Sequence, residues 1–224
     1  MKNNILYAII PMKCHSERVP NKNIRDFAGK PLFYWILNTL KKIDRITKII
    51  VDTDCEQIAD MVLRYFDVVI SMRPDNLKGD FVSVNKIIKN IIGNFDNEYF
   101  IQTHATNPLL KPETINSAIE LYFKNTDKFD SVFSVTRYQS RFYDLSGNPI
   151  NHNPAELIRT QDLSPLFEEN SNFYIFSKQS FLKKELRIGD TPFMFEVNKL
   201  ESVDIDDLFD FRIAESIMKI SVEK

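Results

Sequence analysis

Short runs of β-branched and aromatic residues alternate with helix-like segments through the first part of the chain. The pattern predicts strands at residues 5–10, 46–51, 68–71, 99–103 and 131–135. It predicts helices at residues 32–42, 56–65, 83–92 and 113–124. Strands that alternate with helices are typical of a parallel sheet whose strands are joined by crossover helices. We therefore expect an α/β protein.

The alternation breaks near residue 136. Residues 137–170 are polar and loop-like, whereas residues 173–176 and 193–197 read as short strands that return to the sheet or form a small extension. The C-terminal stretch ESVDIDDLFDFRIAESIMKI predicts a strand followed by an amphipathic helix. The expected organisation is one domain, residues 1–224, with an irregular insertion at about 137–192.

Composition narrows the class of protein. The chain has 224 residues, 43% hydrophobic and 27% charged, with a net charge of -2, which is ordinary for a globular domain and gives no overall attraction to nucleic acid or an anionic membrane. No run reaches the roughly 20 apolar residues of a membrane helix. Cys14 and Cys55 are too few for a disulfide framework and lack CxxC spacing. These features predict a cytoplasmic location, with no nucleic-acid or membrane partner.

The loop after the first predicted strand, PMKCHSERVPNKN, is basic although the chain as a whole is acidic. Residues 11–30 carry five basic against two acidic side chains, a balance of +3. In a doubly wound sheet this loop borders the ligand, and converging cations suit a polyphosphate. The alternative is a solvated loop whose basic residues pair with nearby acids. Neither GxGxxG nor GxxxxGK[ST] occurs, so no dinucleotide or P-loop motif supports the site.

The same loop, continued into AGKPLFYWIL, resembles the signature of the acylneuraminate cytidylyltransferase family. The matching residues are Ser16, Pro20, Lys22, Asn23, Gly29, Lys30, Pro31 and Leu32. The resemblance implies that the triphosphate of the nucleotide is bound by Lys13, Ser16, Lys22 and Asn23. The chain departs where Lys13 replaces an arginine and Cys14-His15 replaces a glycine pair. Lysine keeps the charge but not the bidentate fork, and side chains close off backbone approach that glycine permits.

The resemblance extends over nearly the whole chain and implies further site residues. The stretch that begins at Arg73, RPDNLKGDFVSV, resembles the nucleotide-binding block of the family. The resemblance implies that Arg73, Asp80 and Ser83 contact the cytosine and ribose. Ser83 also fits the cap position of a helix. QTHATNPLL implies acceptor contacts for His104, Thr106 and Asn107. A satisfied structural histidine is the alternative for His104, and its ordinary pKa would also let it carry charge to an acidic acceptor.

RTQDLSPLFEENSNFYIF resembles the block beside the acceptor pocket and the dimer contact. It implies substrate contacts for Arg159, Gln161 and Tyr174, with a plain surface salt bridge as the alternative for Arg159. Phe193 could wall the acceptor pocket or pack in the core. Arg141 and Tyr143 could serve an acceptor that carries a different anion.

Asp204 and Asp206 lie two residues apart on the predicted C-terminal strand, so both carboxylates point to one face. Like charges side by side favour a cation between them, and Mg²⁺ takes one or two carboxylates with phosphate oxygens and water. The family places its metal on these residues. For Asp207 and Asp210, acids in the first turn of a helix need no ligand.

The resemblance implies a three-layer, Rossmann-like nucleotidyltransferase fold with a mostly parallel sheet and a small extension used for dimerisation. It implies a cytidylyltransferase that transfers CMP from CTP to an acidic 2-keto sugar for surface glycan synthesis, with Mg²⁺ as cofactor and Lys13, Lys22, Asp204 and Asp206 as catalytic residues. The expected partners are CTP, the sugar and a second copy of the chain. Rival readings are an acceptor bearing phosphate or phosphonate, a non-catalytic nucleotide-binding homologue and an aspartate-nucleophile phosphatase.

Overall fold

The computed structural model describes residues 4–222 and contains one seven-stranded sheet and one two-stranded hairpin. In chain order the strands are β1 Leu6–Met12, β2 Asp26–Phe27, β3 Lys30–Pro31, β4 Ile46–Thr53, β5 Val69–Met72, β6 Tyr99–Thr103, β7 Ser131–Tyr138, β8 Leu166–Ser177 and β9 Pro192–Glu196. The sheet order is β5-β4-β1-β6-β8-β7-β9. Every neighbouring pair is parallel except the two that include β8. The prediction of a mostly parallel α/β sheet is confirmed.

Helices cover both faces of this sheet. They are α1 Leu32–Leu40, α2 Glu56–Tyr65, α3 Val84–Asn94, α4 Pro112–Lys124, α5 Lys178–Lys184 and α6 Leu208–Val222. The apolar sides of α1, α2 and α4 share one core with the sheet, whereas α3 and α5 share a second core on the other face. These are the three layers expected of the fold. Helix α6 packs separately, against the loop that follows β1.

The sheet order reverses around β1, which lies between β4 and β6. In open α/β sheets the ligand crevice lies outside the carboxyl ends of the strands at such a reversal. The segments that follow β1 and β6 begin with Lys13 and His104, respectively. The topology therefore brings the predicted phosphate loop and the predicted acceptor block to the same edge.

Two expectations about the second half of the chain are corrected, and one helix was not predicted. The segment before α6, residues 203–206, belongs to no strand, and its contact with the body includes the Ile205 amide donating to the Thr106 carbonyl at 3.0 Å. The long irregular stretch covers residues 139–165, because β7 extends to Tyr138 and most of residues 166–192 form β8 and α5, with a shorter irregular stretch at 185–191 before β9. Helix α5 was not predicted, because its seven residues carry too little periodicity to stand out.

Within residues 4–222, no helix combines the length and apolar character needed to cross a bilayer. The two cysteines are joined as a disulfide with their Cα atoms 5.1 Å apart, although 41 residues separate them. This pairing was not expected from the sequence. It ties the loop after β1 to the segment that follows β4.

Candidate active site

The loop after β1 folds over the carboxyl end of the sheet and encloses a polar cavity. Asn23 Nδ2 donates to the Lys13 carbonyl at 3.0 Å and closes the loop on itself. The β2–β3 hairpin turns at Ala28 and Gly29, both with positive φ, which glycine adopts without steric cost. The cavity has a volume of about 260 Å³ and is lined by Pro11, Lys13, Ser16, Glu17, Arg18, Lys22, Asn23 and Thr106. Four of the predicted nucleotide-binding residues therefore share one pocket.

The Asp204–Asp206 segment lies directly against this loop. The Lys22 ammonium donates to the Ile205 carbonyl at 2.6 Å, and Arg18 Nη2 contacts Asp206 Oδ1 at 2.6 Å. The Ile205 side chain is fully buried against Val19 and Phe27, so it anchors the segment between the two carboxylates. The predicted acidic pair and the predicted basic loop are thus brought together. The anchor is a buried side chain and not strand pairing.

The charges at this contact perturb one another. Burial raises the pKa of Asp204, and the neighbouring Asp206 raises it further, against the opposing effects of Thr106 and Lys22. Burial lowers the pKa of Lys22, although Asp204 and Asp206 oppose that change. One oxygen of Asp204, Oδ1, is buried and has no hydrogen-bond partner within the described residues. Perturbed groups with an unused acceptor are typical of a site that binds a further charged group.

A larger cavity, of about 590 Å³, adjoins the acidic pair on the side of β7 and β8. It is lined by Thr136, Tyr138, Glu168, Glu169, Asn170, Ser171, Lys199, Ser202, Val203, Asp204, Asp206 and Asp210. Five carboxylates face one lysine there. The cavity therefore favours cations and disfavours an isolated anion.

A bulge in β8 shapes this cavity. The pairing with β7 shifts between Tyr174 and Glu169, and Ser171 within the bulge has φ 58°. Asn170 Nδ2 donates to Thr136 Oγ1 at 3.0 Å, and Asn172 Nδ2 donates to the Glu201 carbonyl at 2.8 Å. These buried amides fix the bulge, because each satisfies a group that water cannot reach.

The predicted nucleotide contacts fall in two environments. Arg73 is buried, and its Nε and Nη2 contact Asp52 Oδ1 at 2.7 and 2.6 Å. Asp80 instead lies at the surface and forms an ion pair with Lys13 at 2.5 Å. Ser83 caps α3 by accepting the Asn85 amide at 3.3 Å. Base recognition by Arg73 and Ser83 stays a prediction, because both already have structural partners.

His104 belongs to a polar network on the α3 face of the sheet. Its Nε2 lies 2.9 Å from Nε2 of the buried Gln102, and Gln102 Oε1 accepts from Arg187 Nη1 at 2.7 Å. Burial, together with the cations Arg187 and Lys22, lowers the pKa of His104 to about 4. The expectation that His104 carries charge is therefore wrong: it is neutral near pH 7. Arg187 lies close to this group and was missed, because no motif surrounds it in the sequence.

Three residues that were predicted to contact the acceptor line neither of the two cavities, and each has another partner. Arg159 forms an exposed ion pair with Asp162 at 2.7 Å, which is the surface salt bridge held open as the alternative. Phe193 packs on Phe129 and the core, with ring centroids 4.8 Å apart, and so does not wall the pocket. Asn107 is fully buried and donates to Asn172 Oδ1 at 3.1 Å.

Two further predicted contacts belong to the 139–165 extension. Arg141 donates to the Ile158 carbonyl at 2.6 Å, and the Gln161 carbonyl accepts from Gln139 Nε2 at 2.7 Å. Neither residue lines the two cavities described above. A role of either residue in binding the substrate stays a prediction.

The fold and this site define a nucleotidyltransferase-type α/β protein. A family model described as Cytidylyltransferase matches residues 7–216, and the chain belongs to the acylneuraminate cytidylyltransferase family. The resemblance drawn from the sequence is therefore confirmed.

Similar proteins cover the whole chain. A pseudaminic acid cytidylyltransferase of Campylobacter jejuni is 27% identical and aligns with 100% of this chain and 99% of its own length. A CMP-N,N'-diacetyllegionaminic acid synthase of Legionella pneumophila is 26% identical over 97% of this chain and 98% of its own. An N-acylneuraminate cytidylyltransferase of Danio rerio is 31% identical over 96% of this chain, which spans 51% of that relative.

Solved structures agree on the fold. A CMP:2-keto-3-deoxy-manno-octonic acid synthetase complexed with CTP superposes with a TM-score of 0.70 at 12% identity, covering 97% of this chain and 99% of the other. A cytidylyltransferase from Leptospira borgpetersenii gives a TM-score of 0.66 at 12% identity, covering 97% and 87% of the two chains. At such identities the likeness concerns the architecture alone.

Proposed function

We propose that this protein transfers CMP from CTP to the hydroxyl of an acidic 2-keto sugar of the sialic, pseudaminic or legionaminic type and releases pyrophosphate, for the synthesis of a surface glycan. Family membership supports the reaction class. The observation that carries the proposal is the contact of Lys22 with the Ile205 carbonyl, which joins a basic pocket to an acidic pair. We place the reaction in the cytoplasm, because two cysteines are too few for the disulfide framework of a small secreted domain.

In this proposal the triphosphate lies in the smaller cavity, with Lys13, Ser16, Lys22 and Asn23 around it. The acceptor hydroxyl attacks the α-phosphorus in line with the leaving group. A new oxygen–phosphorus bond forms, the bond from the α-phosphorus to the bridging oxygen breaks, pyrophosphate leaves with that electron pair, and the hydroxyl proton passes to solvent. Such a reaction depends on positioning and charge neutralisation, which the basic loop supplies.

Asp204 and Asp206 would hold Mg²⁺. The donor set suits it, because Asp204 has an unpartnered buried oxygen and Asp206 is exposed beside it. Across residues 4–222 no group of three or more His, Cys, Asp or Glu side chains is arranged for a metal, so phosphate oxygens and water would complete the shell. A bound Mg²⁺ would neutralise phosphate charge and lower the pKa of the acceptor hydroxyl.

We propose that the functional unit is a homodimer joined through the 139–165 extension. Large apolar side chains are exposed on this extension, namely Tyr143, Leu145, Ile150, Leu157 and Ile158. Several exposed large apolar side chains in one segment favour an interaction site there. Light scattering should give twice the chain mass of 26.2 kDa, and Leu157→Asp should shift the protein to the monomer. Leu182→Asp, on the exposed side of α5, is the control; a monomeric wild type at about 10 µM would refute the dimer.

The reaction itself is tested by pyrophosphate release. The enzyme is incubated with Mg²⁺, one of CTP, ATP, GTP or UTP, and a panel of 2-keto sugar acids. We expect pyrophosphate release with CTP and at least one acid, and less than about 1% of that rate with the other nucleotides. A base other than cytosine presents different hydrogen-bond donors and acceptors and would leave buried polar groups of the site unpaired. Release only with a phosphate- or phosphonate-bearing acceptor would replace the proposed substrate. No release with any acceptor would favour a non-catalytic homologue.

A further inference from the structure

Arg187 is a half-buried cation in the stretch between α5 and β9. Its Nη1 donates to Gln102 Oε1 at 2.7 Å, and its Cζ lies 3.9 Å from the centroid of the Tyr174 ring. None of the salt bridges in the described part of the chain includes it. A guanidinium stays protonated in proteins, so this side chain is a fixed positive charge without an ion-pair partner.

Such a charge is costly to withdraw from water. Burial lowers the pKa of Arg187, and electrostatic interactions with Tyr174 and Glu169 oppose that change. The Glu169 carboxylate is engaged by the Tyr174 hydroxyl. One amide oxygen and one aromatic face compensate a guanidinium only in part, because its other N–H donors lack anionic partners. An anion bound beside it would supply the missing compensation.

The position of Arg187 relates this charge to the acceptor side of the site. Gln102 contacts both Arg187 and His104, so the three side chains form one continuous network. His104 lies near enough to both Arg187 and Lys22 for each cation to lower its pKa. Lys22 in turn contacts the segment that carries Asp204 and Asp206. Hydrogen bonds therefore join Arg187 to His104, and the charge of Lys22, which lines the smaller cavity, acts on the same histidine.

Charge decides where an acidic acceptor can place its carboxylate. The 590 Å³ cavity presents five carboxylates and a single cation, Lys199, and so repels an anion. The cations of the basic loop are committed to the triphosphate in the proposed reaction. His104 is neutral. Arg187 has no ion-pair partner among the described residues and takes no part in the proposed triphosphate site. It is hydrogen-bonded to Gln102, which contacts His104.

We propose that Arg187 binds the carboxylate of the acceptor and thereby selects sugar acids over neutral sugars; this rests on the proposed function. In a cyclised 2-keto acid the reacting hydroxyl and the carboxylate are attached to the same carbon. A guanidinium that holds the carboxylate by charge-assisted hydrogen bonds therefore also orients the nucleophile. Tyr174 and Gln102 act as positioning residues, because they hold the guanidinium plane.

The experiment compares a 2-keto sugar acid with its carboxamide in the CTP-dependent reaction. Arg187→Gln should raise KM for the acid about 10- to 100-fold, leave KM for CTP within about twofold, and reduce the acid-to-amide preference in kcat/KM by the same 10- to 100-fold. Arg187→Lys should restore part of that preference, because it keeps the charge without the fork. Arg212→Gln, on the exposed side of α6, is the control for loss of one positive charge.

The outcomes separate this inference from the function on which it rests. A wild-type acid-to-amide preference in Arg187→Gln overturns the role of Arg187 and leaves the cytidylyltransferase reaction intact. If Lys199→Met loses the acid-to-amide preference and the Arg187 variants keep it, the carboxylate binds in the 590 Å³ cavity that Lys199 lines. That result also overturns the role of Arg187. Failure of the wild type to use any sugar acid overturns both. If thermal unfolding shows that Arg187→Gln does not fold, the same ratio in Arg187→Lys decides.

Discussion

Replacing Asp204 by Asn is expected to lower kcat about a thousandfold, and Asp206→Asn should do the same, while CTP binding is largely kept. Each change removes a negative charge and an anionic oxygen ligand but preserves the shape of the side chain. The nucleotide should keep its contacts with the basic loop, because the contact of Lys22 with the Ile205 backbone carbonyl needs neither carboxylate. Both variants should therefore have a slower transfer step and a lower affinity for the metal, with little change in nucleotide affinity.

Three measurements separate these effects. Pyrophosphate release gives kcat, calorimetry with CTP gives nucleotide affinity, and electron paramagnetic resonance of Mn²⁺, used in place of Mg²⁺, reports metal binding without turnover. Asp207→Asn is the matched control. Its carboxylate accepts the amides of Phe209 and Asp210 at the start of α6, a capping role that Asn also fills. Near wild-type release in both Asp204→Asn and Asp206→Asn would refute the metal assignment.

The same pair gives a direction for pH dependence. Because the pKa of Asp204 is raised, its carboxylate takes up a proton at a higher pH than an ordinary aspartate. A protonated carboxyl is a poor metal ligand. Metal affinity should accordingly fall on acidification earlier than the ordinary pKa of aspartate would suggest, and Asp204→Asn should lack that step.

The first half of the fold could be predicted because its signals are local. The helix at Glu56–Tyr65 and the strand at Tyr99–Thr103 have the predicted bounds, and Ser83 caps α3 as its position before an apolar periodic segment suggests. Strands buried on both faces give uninterrupted apolar runs that contrast with amphipathic helices. The order of strands in the sheet is different, because it depends on pairing between distant segments.

Apart from the short helix α5, the features that could not be predicted depend on long-range contacts. The Asp204–Asp206 segment has the alternation of a strand, yet Lys22 and a buried Ile205 hold it, and no strand pairs with it. Arg187 has no motif around it; only the fold brings it to Gln102. The Cys14–Cys55 pairing likewise appears only when the ends of β1 and β4 are adjacent. The family resemblance predicted which segments form the site, but it could not predict these contacts between distant residues.

Arg73→Met is expected to lower the free energy of unfolding by about 3–5 kcal/mol near pH 8, because it leaves the fully buried Asp52 without its counterion. Arg73 also joins three strand ends. Its Nη2 donates to the Met12 carbonyl of β1 at 3.4 Å, its amide donates to the Thr53 carbonyl of β4 at 2.8 Å, and it follows β5. The variant should thus loosen the edge of the sheet that carries the nucleotide pocket.

The pH dependence identifies the cause of the loss. Burial already raises the pKa of Asp52, and Arg73 opposes that rise, so removing Arg73 should raise it further. A carboxyl whose folded-state pKa lies above its unfolded value destabilises the fold at high pH and is relieved as the pH falls toward the folded-state pKa. Urea unfolding at pH 5 and pH 8 should show a smaller deficit at pH 5 for Arg73→Met relative to wild type.

Removing both charges tests whether Asp52 is the origin of the deficit. The double variant Asp52→Asn with Arg73→Met should recover a large part of the lost stability, because no buried charge is left unpaired. Arg64→Met, at an exposed position near the end of α2, should change stability by less than about 0.5 kcal/mol. If Arg73 acted only as a reader of the cytosine, Arg73→Met would unfold like the wild type at both pH values and raise KM for CTP alone. That result would rule out a structural role for Arg73 and support its predicted contact with the cytosine.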